Sequence, residues 1–338
     1  MPEYLNSVLQ ILDYGLKTNS YKFALLRAFG DYGEEGAADD VVTRMWLAER
    51  FVDYYWPLTL RFRVRQATDP TRDPVIMRFI RQEAAELTLS PHALVGEYRK
   101  KYSKRYDTLL KSCCDLGGCF DEVIPRFHNV HRGHVRAPLY DAGENGLRLK
   151  TGVAEFLRNY SRTLQLLAIG GWVRFTEQFT TAPRLYEKIA GLSPERKQQR
   201  YRKFLAEQQQ QCFYCEAAGV PLDVEHLIRW SFVLEDRIWN LVLACQKCNS
   251  AKGDRIPTAI YLSRLRERNI GLLKLLDGGT LAPDQRDVRR DLQEFVSRDL
   301  DAHIRMLVDA CLEDGFGVWE GVQRSTAAAG GPPATNPR

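Results

Sequence analysis

The chain has 338 residues, 44% of them hydrophobic and 27% charged, and carries a net charge of +5. That apolar content supports a substantial core, in one large domain or two to three small ones. No run of about 18 apolar residues occurs, which excludes a membrane-spanning helix, and the N-terminal stretch lacks the basic-then-apolar pattern of a secretory signal; a reducing, cytoplasmic setting is therefore expected for the eight cysteines.

Residues 1 to about 120 read as helical. Tyr4, Leu5, Val8, Leu9, Leu12 and Leu16 recur at helical spacing, and Ser20 stands where it would cap the next helix. An aromatic-rich helix with Trp46, Phe51, Tyr54, Tyr55 and Trp56 follows, with Pro57 expected to close it; its rings are expected to pack in the core. Ala67 to Pro74 is a loop, and Pro91 opens another helix. That helix spaces Tyr98, Tyr102 and Tyr106 by four among Arg99, Lys100, Lys101, Lys104 and Arg105. It reads equally as an aromatic and basic face for nucleic acid or as an amphipathic helix that buries its tyrosines.

From 113 to 183 the character changes. The segment CCDLGGC is a break. His128, His131 and His134 are spaced by three, but Pro125 and Gly133 argue against a helix that would bring them together on a metal. Leu139 to Leu149 reads as a hairpin around a Gly-Asn turn, and Phe156 to Leu167 as a helix that Gly170-Gly171 breaks. From Ser193 a charged helix is expected, with Ser193 as N-cap and Pro194 in the first turn.

The stretch from Cys212 to Pro257 organises the chain. It holds two CxxC knuckles, Cys212/Cys215 and Cys245/Cys248, with Glu225-His226, Asn240 and Asn249 ordered between and after them. Two CxxC turns supply four thiolates for a closed tetrahedral structural zinc site; two disulfides or four ordinary buried thiols are the competing reading. Leu222-Asp223-Val224 and Leu241 to Ala244 read as strands, and a helix begins near Asn249, with Lys252 one turn along. From Arg184 to Asn269 there are 15 basic and 10 acidic residues, so the whole net charge lies around this stretch, as suits a phosphate-backbone partner. Beyond it, 261–276 and 284–312 are helical, and the polar tail from Gln323 is expected to be disordered.

This order of residues resembles the HNH nucleases of the ββα-metal superfamily. The resemblance rests on Glu225-His226, Asn240 and Asn249 in a zinc-knuckle frame, with spacings of 14 and 9 between His226, Asn240 and Asn249, and it covers about 50 residues ending at Asp254. It implies His226 as general base, Glu225 and Asn249 as ligands of a catalytic divalent cation (Mg²⁺ or Mn²⁺), and Asn240 as the residue pinning the loop that orients His226. The family more often places Asp or His where Glu225 stands, and Asp223 is a rival ligand. Lys252, Arg255 and Arg229 are the expected nucleic-acid contacts. The resemblance also implies DNA as substrate and a place in bacterial restriction or anti-phage defence, alongside other proteins of such a system. Two further readings stay open: a zinc-ribbon binding module without catalysis, and an adaptor using the HNH fold as scaffold.

The expected architecture is α+β and predominantly α-helical: a helical domain over 1–183, a zinc-clamped nuclease domain over 184–270, a helical region over 271–322 and a disordered tail over 323–338.

Overall fold

The computed structural model describes residues 2–37, 39–131, 133–277, 283–297 and 300–321; the tail expected to be disordered lies outside them. The chain divides into two units, Met1–Pro194 and Glu195–Arg338, both α+β and mostly helical with sheets of two or three short strands. No described helix is long and apolar enough to cross a membrane.

The first unit contains helices α1 (Pro2–Tyr14) and α2 (Tyr21–Glu34), strand β1 (Val41–Thr43), then α3 (Arg44–Leu60), α4 (Val75–Glu86), α5 (Val95–Lys101), α6 (Ser103–Cys114) and α7 (Phe120–Val123). Short strands β2 (Asn129–Val130), β3 (Gly133–His134), β4 (Tyr140–Ala142) and β5 (Gly146–Leu149) follow, and helices α8 (Val153–Thr176) and α9 (Leu185–Ala190) complete it. The expected hairpin forms as β4 and β5, and β1 pairs antiparallel with β5 as a third strand, Val42 opposite Leu147.

The centre of this unit is α2 against α8, and glycine sets their separation. A Cβ on Gly33 would lie 2.1 Å from the Leu157 carbonyl oxygen, and one on Gly30 would lie 2.7 Å from Gln165 Cγ. Contrary to expectation, α8 runs unbroken through Gly170-Gly171. Gly171 is there for space: a Cβ would come within 2.9 Å of Leu12 and 3.0 Å of Phe23. The surrounding contacts outweigh the roughly 1 kcal/mol that glycine costs a helix interior. Pro57 likewise does not end α3, which continues to Leu60; burial of Trp56 and Leu58 holds the last turn in place despite the missing N–H. Ser20 makes no capping bond with its side chain; its hydroxyl bonds the Tyr55 hydroxyl at 2.6 Å.

The two readings of 98–106 separate cleanly. Tyr98 and Tyr106 are buried, Tyr98 lies 4.6 Å from Trp56 between ring centroids, and Lys100, Lys101 and Lys104 are exposed. Tyr98 and Tyr106 are core, not stacking platforms, and Tyr102 is half-buried with its ring 5.6 Å from that of Tyr98. His128 is half-buried: its Nε2 accepts the Leu139 N–H at 3.0 Å.

The second unit begins with a 3-10 turn at Gln198–Tyr201 and helix α10 (Arg202–Gln208). The helix expected from Ser193 does not form before Gln198, because the Lys197 N–H is turned instead onto the Asp236 carboxylate. Then come β6 (Leu222–His226), α11 (Trp230–Val233), a 3-10 turn at Ile238–Asn240, β7 (Leu241–Cys245), α12 (Gln246–Lys252), β8 (Ile256–Pro257), α13 (Ala259–Asp277), α14 (Pro283–Ser297), α15 (Leu300–Glu313) and β9 (Val318–Trp319). Strands β6 and β7 form an antiparallel pair running from Leu222 opposite Cys245 to His226 opposite Leu241. The chain's return strand β9 lies parallel to β8, with the Ile256 N–H donating to the Gly317 carbonyl at 2.8 Å.

Candidate active site

The four cysteines converge. Cys212 and Cys215 lie on the turn before β6, Cys245 ends β7 and Cys248 is in the first turn of α12. Their sulfur atoms all lie within 4.8 Å of one another; Cys215 and Cys245 are 3.9 Å apart. Four thiolates around a zinc at about 2.3 Å stand about 3.8 Å from each other, so the cluster fits structural zinc. No other group of three or more His, Cys, Asp or Glu side chains among the described residues is placed to hold a metal. Burial pushes the Cys212 thiol up, but backbone N–H groups of Cys215, Cys245 and Tyr214 outweigh it and bring the thiol down to about 7.

The zinc turn closes one end of the β6–β7 hairpin, and His226 sits at the other. Its Nε2 lies 2.7 Å from Asp236 Oδ1, both side chains being 5% exposed. The second oxygen of Asp236 accepts the Lys197 N–H. Burial raises the Asp236 pKa, but the hydrogen bonds from His226 and Lys197 prevail and leave it below the usual carboxylate value. Asn240, fully buried, closes the loop that leaves β6: its Oδ1 accepts the Ile228 N–H at 2.7 Å and its Nδ2 donates to the Ile228 carbonyl at 2.6 Å. The Leu227 N–H reaches the Asn240 carbonyl at 2.9 Å.

Side chains alternate along a strand, so Glu225 points away from His226 toward α12. Lys252 Nζ donates to Glu225 Oε1 at 2.6 Å and to the His226 carbonyl at 3.1 Å. The Tyr214 hydroxyl approaches Glu225 Oε2 at 3.4 Å. Tyr214 belongs to an aromatic wedge with Tyr261 and Trp319: its ring meets Trp319 edge-on at 5.0 Å, and Trp319 stacks on Tyr261 at 5.6 Å. The chain's return strand therefore buttresses the Glu225 side of the hairpin. Asn249 lies one turn before Lys252 on α12, half-buried. Asp223, on the same face as Glu225 but exposed, meets Arg202 at 3.4 Å.

Two of the three expected nucleic-acid contacts face inward. Lys252 is 1% exposed and bound to Glu225, so its ammonium is not available to a phosphate. Arg229 is buried, paired with Asp254, and lies 5.5 Å from the Phe316 ring. Both are internal ion pairs because a charge removed from water needs a counter-charge. Arg255 is exposed, its guanidinium folded onto the Ala251 and Lys252 carbonyls at the end of α12.

Asp236, Tyr214 and Trp319 were not singled out in the sequence. Asp236 is one acid in a loop without a motif, and what brings it to His226 is the fold of that loop, including Leu234 in the left-handed region at φ 51°. The span 313–319 carries no repeat or spacing that ties it to residue 214.

No curated protein and no solved structure matched the chain. Residues 212–255, from the first knuckle thiol to the arginine that folds back on α12, match the family model for HNH endonuclease, and by that match the second unit carries an HNH domain.

Proposed function

We propose that the chain is a metal-dependent HNH endonuclease that hydrolyses phosphodiester bonds in DNA, acting in bacterial restriction or anti-phage defence. The observation that carries the reading is the His226–Asp236 pair at 2.7 Å, set at the strand end beside Glu225 within a hairpin framed by four thiols.

With the Nε2 proton donated to Asp236, the imidazole's Nδ1 is the proton acceptor for an attacking water. Asp236 stays ionised and stabilises the imidazolium that forms. Asn240 fixes Leu227 and Ile228, the residues through which the imidazole would otherwise drift. Glu225 and Asn249 are hard oxygen donors from facing elements and suit Mg²⁺ or Mn²⁺; such an ion, when bound, neutralises charge on the scissile phosphate and on the departing oxygen. Of the Glu225 oxygens, Oε2 has only the longer contact to Tyr214 and is the more available to a cation. The Lys252 ammonium, 2.6 Å from Oε1, holds the carboxylate aimed. The imidazole is nearly enclosed, its side chain 5% exposed, so a substrate phosphate needs a local opening to reach it.

That enclosure, together with the neutralisation of Glu225 by Lys252, favours the second reading, a zinc-stabilised nucleic-acid-binding or adaptor module without catalysis. Supercoiled plasmid incubated with the full chain and Mg²⁺ or Mn²⁺ separates the two. The nuclease reading expects nicking or linearisation. His226→Ala should slow it by about 10²–10⁴-fold and Asp236→Asn by less, with the zinc content of both unchanged. A His226→Ala protein that cuts at the wild-type rate removes the proposed base. Plasmid and single-stranded DNA both left intact by the zinc-loaded wild type would install the binding-module reading.

A further inference from the structure

Of the cations expected to meet a phosphate, Lys252 and Arg229 are paired internally and Arg255 folds onto α12. Arg237, beside Asp236 in the chain, is also engaged: it pairs with Asp291 at 2.5 Å and faces Glu235 and Glu294. Arg196 is different. It is exposed, and its guanidinium lies 4.7 Å from the centre of the Trp230 ring. It has no hydrogen bond and no ion pair among the described residues. Three contacts fix its surroundings at the His226 end of the hairpin. The N–H of the next residue, Lys197, is bonded to Asp236, which in turn meets His226 at 2.7 Å. Gln198 donates to the Val224 carbonyl at 3.4 Å, on the strand that ends in His226. Trp230 is buried at the start of α11, on the loop that Asn240 pins through Ile228.

Stacking on a ring occupies the face of a guanidinium and leaves its N–H edges free. The nearby carboxylates do not take those edges. Asp236 feels the Arg196 charge, but its Oδ1 is bonded to His226 and its Oδ2 to the Lys197 N–H. Glu195 is turned to Lys197 Nζ, 3.5 Å away. The result is a cation seated on a ring beside the candidate general base, with its donors open to solvent. A phosphodiester carries one negative charge over two non-bridging oxygens, and a guanidinium edge matches that pattern with two parallel hydrogen bonds.

We propose that Arg196 is the phosphate-binding residue at the His226 end of the candidate site, its N–H edge holding a backbone phosphate of the DNA strand while Trp230 supports its face. This rests on the reading of the second unit as one that acts on DNA, but not on cleavage. The imidazole is enclosed and Arg196 is exposed, so the contact forms at the surface, ahead of the local opening that brings a phosphate to His226. Its loss therefore shows in binding before it shows in chemistry.

The test titrates the zinc-loaded full chain onto a fluorescein-labelled DNA duplex without added divalent cation, so that no strand is cut, and reads anisotropy between about 50 and 200 mM salt. Arg196→Met keeps an unbranched chain over Trp230 and removes the charge. It should weaken binding about tenfold and make the slope of log K against log salt shallower by about 1, the signature of one lost phosphate contact, with zinc content and Tm unchanged. Arg196→Gln, also uncharged, should repeat the loss, and Arg196→Lys should restore the slope and most of the affinity. With Mg²⁺ and plasmid, Arg196→Met should raise KM about tenfold and leave kcat nearly unchanged. A wild type that binds duplex but never cuts removes the nuclease reading and leaves this contact to be decided by the slope. An unchanged slope in both uncharged variants would overturn the proposal, and joined to a lowered Tm it would assign Arg196 to packing on Trp230. Absence of salt-dependent duplex binding by the wild type would overturn it as well.

Discussion

The two units are held together by different physics. In the first, α2 and α8 approach until glycine is the only residue that fits, and rings fill the remaining space: Tyr55 meets Trp172 at 5.4 Å and Phe23 meets Phe175 at 5.4 Å. In the second, the β6–β7 hairpin has only five residues a strand. It relies on a four-thiol clamp at one end and on buried polar pairs at the other: His226 with Asp236, Glu225 with Lys252, Asn240 with Ile228. A two-stranded hairpin alone is marginal in water, so this one depends on side-chain chemistry where the first unit depends on shape. The difference predicts which kind of damage each unit resists.

Removing a zinc ligand should produce the largest effect. Cys245→Ser, or a strong chelator, takes away apparent binding energy of about 10–16 kcal/mol for a structural zinc. Residues 195–321 should then become sensitive to protease while the helices of the first unit stay protected. Simultaneous loss of protection in both units would show that the first depends on the clamp, and the contrast drawn here would fail.

The complementary damage is steric. Gly33→Ala forces a methyl group into the Leu157 carbonyl and should cost the first unit about 3 kcal/mol, as overpacking of a close contact does, with zinc content unchanged. Gly170→Ala is the control: nothing lies within 4 Å of a Cβ there, so it should be neutral or stabilise α8 by about 0.5–1 kcal/mol. Calorimetric transitions of the two variants decide it. Equal effects at the two glycines would mean that helix propensity, not close approach, sets their role.

The same contrast explains what could be read in advance. Zinc coordination demands particular residue types at particular spacing, so the clamp and the strand-loop-strand-helix frame around it were visible in 46 residues from Cys212 to Pro257. Shape leaves no such trace. Gly170-Gly171 and Pro57 look like breaks because local propensity is all that a sequence displays, whereas the contacts that override propensity come from α1, α2 and the core. Direction was also hidden. Lys252 and Arg229 have the residue type of phosphate ligands, but only the helical phase of α12 and the packing of Phe316 decide that they turn inward to Glu225 and Asp254. Asp236 was invisible for the same reason: it matters through one partner, His226, that the folded chain alone defines.

The smallest expected effect probes a titrating polar group of the first unit. Burial, reinforced by the nearby Lys22, His134 and Lys150 charges and opposed by Asp141, lowers the His128 pKa from 6.5 to about 4. The geometry agrees, because Nε2 must be unprotonated to accept the Leu139 N–H. Above pH 6.5 the ring is neutral in both folded and unfolded chains and contributes no pH dependence. As pH falls below 6.5, the unfolded chain takes up a proton that the folded chain refuses, so stability declines until about pH 4, with ~2 kcal/mol lost by pH 5. Zinc release at acid pH would confuse a global measurement, so hydrogen exchange of the α2 and α8 amides is the suitable readout. His128→Gln keeps an acceptor for Leu139 and removes the titration. Its amides should show the same protection at pH 7.5 and 5 after correction for intrinsic exchange, while those of the wild type lose about thirtyfold, the equivalent of that ~2 kcal/mol. An unchanged acid response in His128→Gln would assign the loss to other titrating groups of the first unit.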